Sequence, residues 1–250
     1  MPIDTTDNAN KQNNSIITNE IDHFNQLADQ WWDRKGPMSS LHDMNDLRIE
    51  WINRNLRHNN QYYKSGNILD IGCGAGLASE ALANMGYNVL GIDAGEKVIK
   101  AAQYHLDTTP LLPKGGSLTY KVGSIEELVH ENQHFSVITA LELLEHVNDP
   151  QNFIHNISRL LQTNGMIFVS TINRTLPAFL FAKVAAEYIT RKLPVGTHNW
   201  RQFITPSELG KMAHSAGLRI KSIAGMTFYP NGWKLTQNVK INYIACLTNS

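Results

Sequence analysis

The stretch LDIGCGAGLA, Leu69–Ala78, joins an apolar strand pattern to a helical pattern through three closely spaced glycines. Asp70 lies two residues before Gly72, and Gly74 and Gly76 follow at alternate positions. Glycines at a strand-to-helix turn let the backbone approach a ligand closely, and the first turn of the helix offers free N–H groups. This turn therefore predicts a small-molecule site at the start of a helix.

The spacing of the glycines separates this turn from two other nucleotide-binding motifs. The dinucleotide fingerprint places its third glycine where Leu77 stands here, and no Gly-Lys-Ser/Thr follows, as a phosphate-binding P-loop requires. The carboxylate of Asp70 would repel a pyrophosphate but would attract an ammonium group. Asp93 ends the next strand pattern, where a carboxylate can accept both hydroxyls of a ribose. The ligand indicated is a nucleoside with a positively charged amino-acid tail, and S-adenosylmethionine fits that description.

Short strand patterns alternate with helical patterns from residue 67 onwards. The strand patterns are NILDIG, YNVLGID, LTYKVGS, FSVITAL and MIFVST. Such alternation is typical of a parallel α/β sheet with crossover helices. The end of the chain differs, because LRIKSIAGM and KINYIACLT have only loop between them and should pair antiparallel. The sequence therefore predicts a mostly parallel sheet that is completed by antiparallel strands.

Several residues mark expected helix ends. Gly86 and Gly165 stand where C-terminal caps belong, and Asp149 precedes a proline as an N-terminal cap does. Thr205 and Glu208 have the spacing of a capping box.

The composition narrows the class of protein. The chain has 250 residues with 22 basic and 22 acidic side chains, which gives no electrostatic case for nucleic-acid binding. Two cysteines are too few for a disulfide framework and favour a reducing, cytoplasmic location. Residues 1–20 are polar and lack the apolar run of a signal peptide, so we expect a disordered leader followed by one domain over 21–250.

The motifs ILDIGCGAG and VLGID, with the antiparallel finish, resemble the class I S-adenosylmethionine-dependent methyltransferases. The resemblance implies an α/β, Rossmann-like, seven-stranded sheet with an antiparallel last strand and helices on both faces. It also implies that Asp70 and the loop Gly72–Gly76 hold the methionine moiety and that Asp93 holds the ribose. In GSIEEL, Ser124 and Ile125 would contact adenine, although an ordinary helix cap explains them equally well.

Three longer stretches narrow the resemblance. They are FNQLADQWWDRKGPMSSLHDMNDLRIEWI, ALELLEHVNDP and STINRTLPAFLFAKVAAEYITRKLPVGTHNWRQFITPSEL. They resemble the ubiquinone biosynthesis O-methyltransferases from about Phe24 to the end of the chain. That resemblance implies methylation of hydroxyls on polyprenylated phenol and quinol precursors, of the 2-polyprenyl-6-hydroxyphenol and 3-demethylubiquinol types. It also implies cofactor contacts by Arg48 and Leu141, and other enzymes of ubiquinone biosynthesis are expected partners.

The run LELLEHVNDP places two acids and a histidine directly after the fourth strand pattern. If the turn is helical, Glu142, Glu145 and His146 project from one side and suit a divalent ion. The resemblance implies such a metal, for which magnesium is the first expectation and zinc or manganese the alternatives. Glu142 and His146 are also candidate catalytic residues, with His198 as a second candidate base, while a solvated turn is the alternative without function.

The segment Leu176–Pro194 carries an apolar stripe flanked by basic residues. It is too short and too charged to span a bilayer, but it could lie at the interface. We therefore expect residues 174–200 to form a lid or a membrane-interface insertion, with peripheral association at the inner face of the membrane. A helix packed on the core is the alternative.

Rival functions remain open from sequence alone. They are an O-methyltransferase for another small phenolic or lipid acceptor, a dinucleotide-binding oxidoreductase, and a methyltransferase-like scaffold without turnover.

Overall fold

The computed structural model describes residues 18–57, 63, 66–113, 115–179 and 200–250. Helices over these residues are α1 (Thr18–Leu27), α2 (Ser39–Leu56), α3 (Leu77–Asn84), α4 (Glu96–Thr108), α5 (Ile125–His130), α6 (Pro150–Arg159) and α7 (Pro206–Ser215). Strands are β1 (Asn67–Ile71), β2 (Asn88–Asp93), β3 (Leu118–Val122), β4 (Phe135–Leu141), β5 (Leu161–Ile172), β6 (Leu218–Tyr229), β7 (Gly232–Thr236) and β8 (Asn242–Asn249). Single 3₁₀ turns occur at Ala28–Gln30, Leu144–His146 and Trp200–Gln202.

The strands form one sheet in the order β3-β2-β1-β4-β5-β8-β6-β7. Strands β1 to β5 pair in parallel, and β8 lies antiparallel between β5 and β6. This arrangement confirms the predicted Rossmann-like fold with its reversed strand. The described residues contain eight strands where seven were expected, because β7 pairs with β6 as a hairpin at the edge.

Apolar side chains cover both faces of the sheet, as a mostly parallel sheet requires. On one face, α2 and α3 contribute buried residues such as Ile52 and Leu82. On the other, α6 and α7 contribute Ile154 and Leu209. In sheets of this kind a ligand binds at the carboxyl ends of the parallel strands.

The local caps explain where several helices begin and end. Asp149 Oδ1 accepts a hydrogen bond from the backbone N–H of Asn152 at 3.0 Å, and Thr205 and Glu208 form the predicted capping box. Gly86 follows α3 with φ +93°, as its predicted capping role requires. The prediction for Gly165 was wrong: α6 ends at Arg159, because the leucines that follow it are buried in the core and lead into β5.

The segment before α2 packs against the glycine turn. Helix α1 begins at Thr18, so the last three residues assigned to the leader belong to it. Leu27 and Trp31 are buried together with Ala75 of the turn and Val98 of α4. No helix among the described residues has the length and apolar character needed to cross a membrane.

Candidate active site

The glycine turn lies between β1 and α3 and is held by the carboxylate of Asp93. Asp93 Oδ2 accepts the Gly74 N–H at 3.0 Å, and Oδ1 accepts the Gly95 N–H at 2.8 Å. Burial raises the pKa of Asp93, while these backbone hydrogen bonds act in the opposite direction. The side chain predicted to bind a ribose is thus fixed at the end of β2, beside the turn.

The conformation of Gly74 admits no other residue easily. Its φ is +53°, and a Cβ built on it would lie 2.2 Å from Cζ2 of Trp31. The indole of Trp31 therefore rests directly on the backbone of the turn. The neighbouring Trp32 donates its indole N–H to the carbonyl of Ala75 at 3.0 Å, and its ring stacks on His105 with centroids 3.4 Å apart.

The carboxylate of Asp70 is used inside the protein. Its two oxygens accept the hydroxyls of Ser79 and Thr139, each at 2.6 Å, and the residue is only 2% exposed. Burial raises the pKa of Asp70, and the two hydroxyls partly offset that shift. Asp70 therefore braces β1 against α3 and β4, and its carboxylate is not exposed for a direct ion pair.

Arg48 of α2 is buried among the acids of this edge. Its Nη2 donates to the Leu41 carbonyl at 3.2 Å, and its Nη1 lies 3.5 Å from Glu142 Oε1. Burial lowers the pKa of Arg48, while the carboxylates of Glu142 and Asp70 oppose that shift. The Arg48 guanidinium thus places a positive charge beside the acid-histidine run, which consists of Glu142, Glu145 and His146.

Glu142 directly follows β4, as the sequence predicted, but its backbone is not helical. Its φ is +53°, and its side chain turns toward β5 and β8. The Ser170 hydroxyl donates to Oε1 at 2.6 Å, and the Asn242 side-chain amide donates to Oε2 at 2.8 Å. Both carboxylate oxygens of Glu142 therefore already have protein partners.

Glu145 and His146 have partners of their own. The Thr171 hydroxyl donates to Glu145 Oε2 at 2.6 Å, and burial, with repulsion from Glu142, raises the pKa of Glu145 to about 7. His146 Nδ1 lies 3.2 Å from Glu20 Oε2 of α1. Burial disfavours the charged imidazole, but the surrounding carboxylates, Glu20 foremost, outweigh it and raise the pKa of His146.

These contacts decide whether the predicted metal ligands fit an ion. Glu142, Glu145 and His146 face three separate partners, and no cluster of three His, Cys, Asp or Glu side chains suited to a metal occurs among the described residues. The positive φ of Glu142 breaks the helical projection on which the prediction depended. The side chains present do not form a metal-ligand set, and Arg48 supplies positive charge beside Glu142.

The remaining predicted residues lie near this edge or outside the described part. Ser124 caps α5 by accepting the Glu127 N–H at 3.4 Å, and the side chain of Ile125 is buried in the core. Leu141 is half-buried at the end of β4. His198 lies outside the described residues, as does most of the segment 174–200, of which only 174–179 and residue 200 are described.

Several residues of the site were missed in the sequence. Trp31 and Trp32 lie in the segment before α2, and Ser79 lies in the first turn of α3. The others are polar side chains of α1 or of strands near the site: Glu20, Thr139, Ser170, Thr171 and Asn242. A polar residue at the carboxyl end of a buried strand was an available signal for Thr139, Ser170 and Thr171. Glu20 gave none, because it stood in the stretch assigned to the leader.

Comparison with known proteins agrees with this geometry. Residues 40–223 match a family model described as a methyltransferase domain. The chain is 41% identical over 239 residues to the ubiquinone biosynthesis O-methyltransferase of Pelagibacter ubique, covering 92% of this chain and 97% of that one. It is 42% identical over 228 residues to the protein of the same name from Pseudomonas fluorescens, covering 90% and 94%.

The chain belongs to the ubiquinone biosynthesis O-methyltransferase family. The resemblance read from the sequence is thereby confirmed, and membership of this family argues against the oxidoreductase alternative. Among solved structures, the magnesium protoporphyrin IX methyltransferase of Synechocystis PCC 6803 with bound S-adenosylhomocysteine is similar in fold. Its TM-score is 0.68 at 19% identity, over 93% of this chain and 99% of that one.

Proposed function

We propose that this protein transfers the methyl group of S-adenosylmethionine to a phenolic hydroxyl of a polyprenylated ubiquinone precursor. The observation that carries the proposal is the relationship to ubiquinone biosynthesis O-methyltransferases over at least nine-tenths of the chain. The glycine turn, with Asp93 at the end of β2, supports the same donor.

The cofactor would lie across the carboxyl ends of β1, β2 and β4. Asp93 would accept the ribose hydroxyls, and the backbone from Gly72 to Gly76 would face the methionine moiety. Arg48 and Leu141 would border the cofactor from α2 and β4, while Ser124 and Ile125 would offer backbone groups to adenine. The buried charge of Asp70 favours the cationic sulfonium and ammonium groups at this edge.

The chemical step needs a base. A phenol has a pKa of about 10, so roughly one molecule in a thousand is ionised at pH 7. As the hydroxyl oxygen attacks the methyl carbon, the C–S bond breaks and its electron pair stays on sulfur. The hydroxyl proton would pass to Nε2 of His146, whose Nδ1 faces Glu20. Glu142, whose oxygens accept from Ser170 and Asn242, would act by orienting these neighbours.

The test is a profile of quinone intermediates in cells lacking this protein. Demethylated precursors should accumulate, and the wild-type gene should restore the normal quinone while the Asp93→Ala variant should not. An unchanged profile in the deletion strain, or full rescue by Asp93→Ala, would contradict the proposed function.

A divalent metal at Glu142, Glu145 and His146 stays a prediction from the resemblance. It would require Glu142 to release Asn242 and to turn away from Arg48. Removal of metals with EDTA should abolish turnover and leave S-adenosylhomocysteine binding intact if the ion is needed. Full activity of the protein after removal of metals would contradict the prediction of a required metal ion.

Peripheral membrane association is the remaining part of the proposal. A polyprenylated substrate partitions into a bilayer, and the described start of the segment 174–200 exposes Leu176 at 71% and Phe179 at 37%. Flotation with liposomes should recover less of the Leu176→Asp/Phe179→Asp variant than of the wild type. Equal recovery would favour packing of this segment on the protein.

A further inference from the structure

Two buried side-chain amides beside the acid-histidine run have an oxygen without a partner. Asn242 begins β8 and Asn173 follows β5, and they are 3% and 5% exposed. Neither Asn242 Oδ1 nor Asn173 Oδ1 has a hydrogen-bond partner within the described part of the chain. A buried acceptor without a donor costs about 1–3 kcal/mol. Such a cost in a folded protein indicates that something else supplies the donor.

The orientation of the Asn242 amide is fixed by its neighbour. Its nitrogen donates to Glu142 Oε2 at 2.8 Å. Turning the amide over would place its oxygen against the Glu142 oxygen, and two acceptors would then face each other without a proton. The nitrogen must therefore face Glu142, and the unpartnered oxygen must point elsewhere.

The position of Asn242 relates that oxygen to the reaction. Because β8 runs antiparallel, its first residue lies at the carboxyl end of β5, where Asn242 pairs with Ile172. This is the edge at which Glu142 follows β4. Asn242 is thus separated from Asp93, at the end of β2, by β1, β4 and β5 in the sheet.

We propose that Asn242 recognises the acceptor by accepting a hydrogen bond from the ring hydroxyl next to the one that is methylated. The inference rests on the proposed function, in which the acceptor is a ring with neighbouring hydroxyls. The attacking hydroxyl gives up its proton, whereas its neighbour keeps one and needs an acceptor. Asn242 Oδ1 meets that need without competing for the transferred proton, because an amide oxygen is not basic.

The role of Asn242 is therefore one of specificity. A monophenol would bury the same oxygen without a donor, so the site would reject it in favour of a ring with two adjacent hydroxyls. A ring whose second oxygen already carries a methyl group would be rejected for the same reason.

The test compares two acceptors, a short-tailed 2-prenyl-6-hydroxyphenol and 2-prenylphenol, which lacks the second hydroxyl. With the wild type, we expect kcat/KM to favour the dihydroxylated acceptor by roughly ten- to a hundredfold. Asn242→Leu should bring that ratio close to one and leave the Kd for S-adenosylhomocysteine unchanged.

Two matched controls separate recognition from general damage. Ser170→Ala removes the other hydrogen-bonded anchor of Glu142, so it should lower kcat for both acceptors alike and keep their ratio. Asn173→Leu removes the second unpartnered amide oxygen, together with the hydrogen bond from Asn173 Nδ2 to the Val239 carbonyl, and should also keep the ratio. If Asn242→Leu does not fold, Asn242→Ser withdraws the oxygen without adding apolar bulk and gives the same comparison.

The possible outcomes distinguish the role of Asn242 in acceptor recognition from the proposed methyl transfer itself. A ratio that survives in Asn242→Leu, or that collapses in Asn173→Leu instead, would overturn the role of Asn242. Equal use of both acceptors by the wild type would also overturn it and would leave methyl transfer standing. Failure of the wild type to methylate either ring would count against the proposed function itself.

Discussion

The contact between Gly74 and Trp31 offers a quantitative test of how the segment before α2 covers the glycine turn. In Gly74→Ala, the new Cβ would lie 2.2 Å from Cζ2 and 2.8 Å from Cη2 of the indole, at a φ of +53°. The backbone conformation costs about 1–2 kcal/mol for an L side chain. Crowding in a packed interior adds about 1–3 kcal/mol. We therefore expect Gly74→Ala to lower the free energy of unfolding by about 2–5 kcal/mol.

A double-mutant cycle isolates the part that comes from the indole. Trp31→Leu shortens the side chain so that it no longer reaches the turn. In the double variant it should relieve the crowding of the new methyl group at position 74, but not the cost of the positive φ at that position. The double variant should then be more stable than the sum of the single changes predicts, by about 1–3 kcal/mol. Urea denaturation of all four proteins measures this coupling.

Gly217 supplies the matched control. Its φ is +73°, and a Cβ built on it meets no atom within 4 Å. Gly217→Ala therefore measures the backbone cost alone and should lose only about 1–2 kcal/mol. Additive effects of Gly74→Ala and Trp31→Leu, or an equal loss in Gly217→Ala and Gly74→Ala, would refute the reasoning that Trp31 rests on the turn.

Three further changes test the cofactor edge. Asp93→Asn leaves one acceptor oxygen for the backbone N–H groups of Gly74 and Gly95. It should weaken S-adenosylhomocysteine binding, measured by calorimetry, by about tenfold or more. An unchanged Kd would contradict the role of Asp93. Thr139→Val removes a hydroxyl from buried Asp70 and should cost about 1.5–3 kcal/mol where that carboxylate is ionised. Because burial raises the pKa of Asp70, the native state takes up its proton first on acidification, so the loss should shrink as pH falls. Thr139→Ser keeps the hydroxyl and should show no such pH dependence. Trp32→Phe removes the donor to the Ala75 carbonyl and should lower the free energy of unfolding by about 1 kcal/mol, whereas an unchanged urea midpoint would contradict that bond.

The parts of the fold that could be read from the sequence are those set by local rules. The caps at Asp149 and Thr205 depend on residues within one helical turn, so spacing alone identifies them. The reversed strand followed from the absence of a crossover helix. Strand β7 was missed because it has only five residues and begins at a glycine, and it pairs with β6 alone.

The site was predictable in position but not in contacts. Glu142 could be placed at a ligand-binding edge because it follows a buried strand. Its partners could not, since Ser170 and Asn242 lie 28 and 100 residues further along the chain. The expected metal set assumed a helical projection, and the positive φ of Glu142 removes it. The partner of His146 is Glu20. This contact was not predicted, because the polar composition of residues 1–20 had led us to assign Glu20 to the leader.

The charges at this edge bear on the direction of the reaction. In the proposed mechanism, the buried carboxylates of Asp70 and Asp93 would favour a cationic sulfonium, but methyl transfer converts that sulfonium to a neutral thioether. If the proton left the site at the same moment, the field that binds the donor would oppose the step. In the proposed mechanism, transfer of the proton to His146 would keep one positive charge in the site, where Glu20, Glu145 and Glu142 outweigh burial and raise the pKa of the imidazole. The positive charge would then be moved from the acids near the glycine turn to the acids around His146 rather than lost.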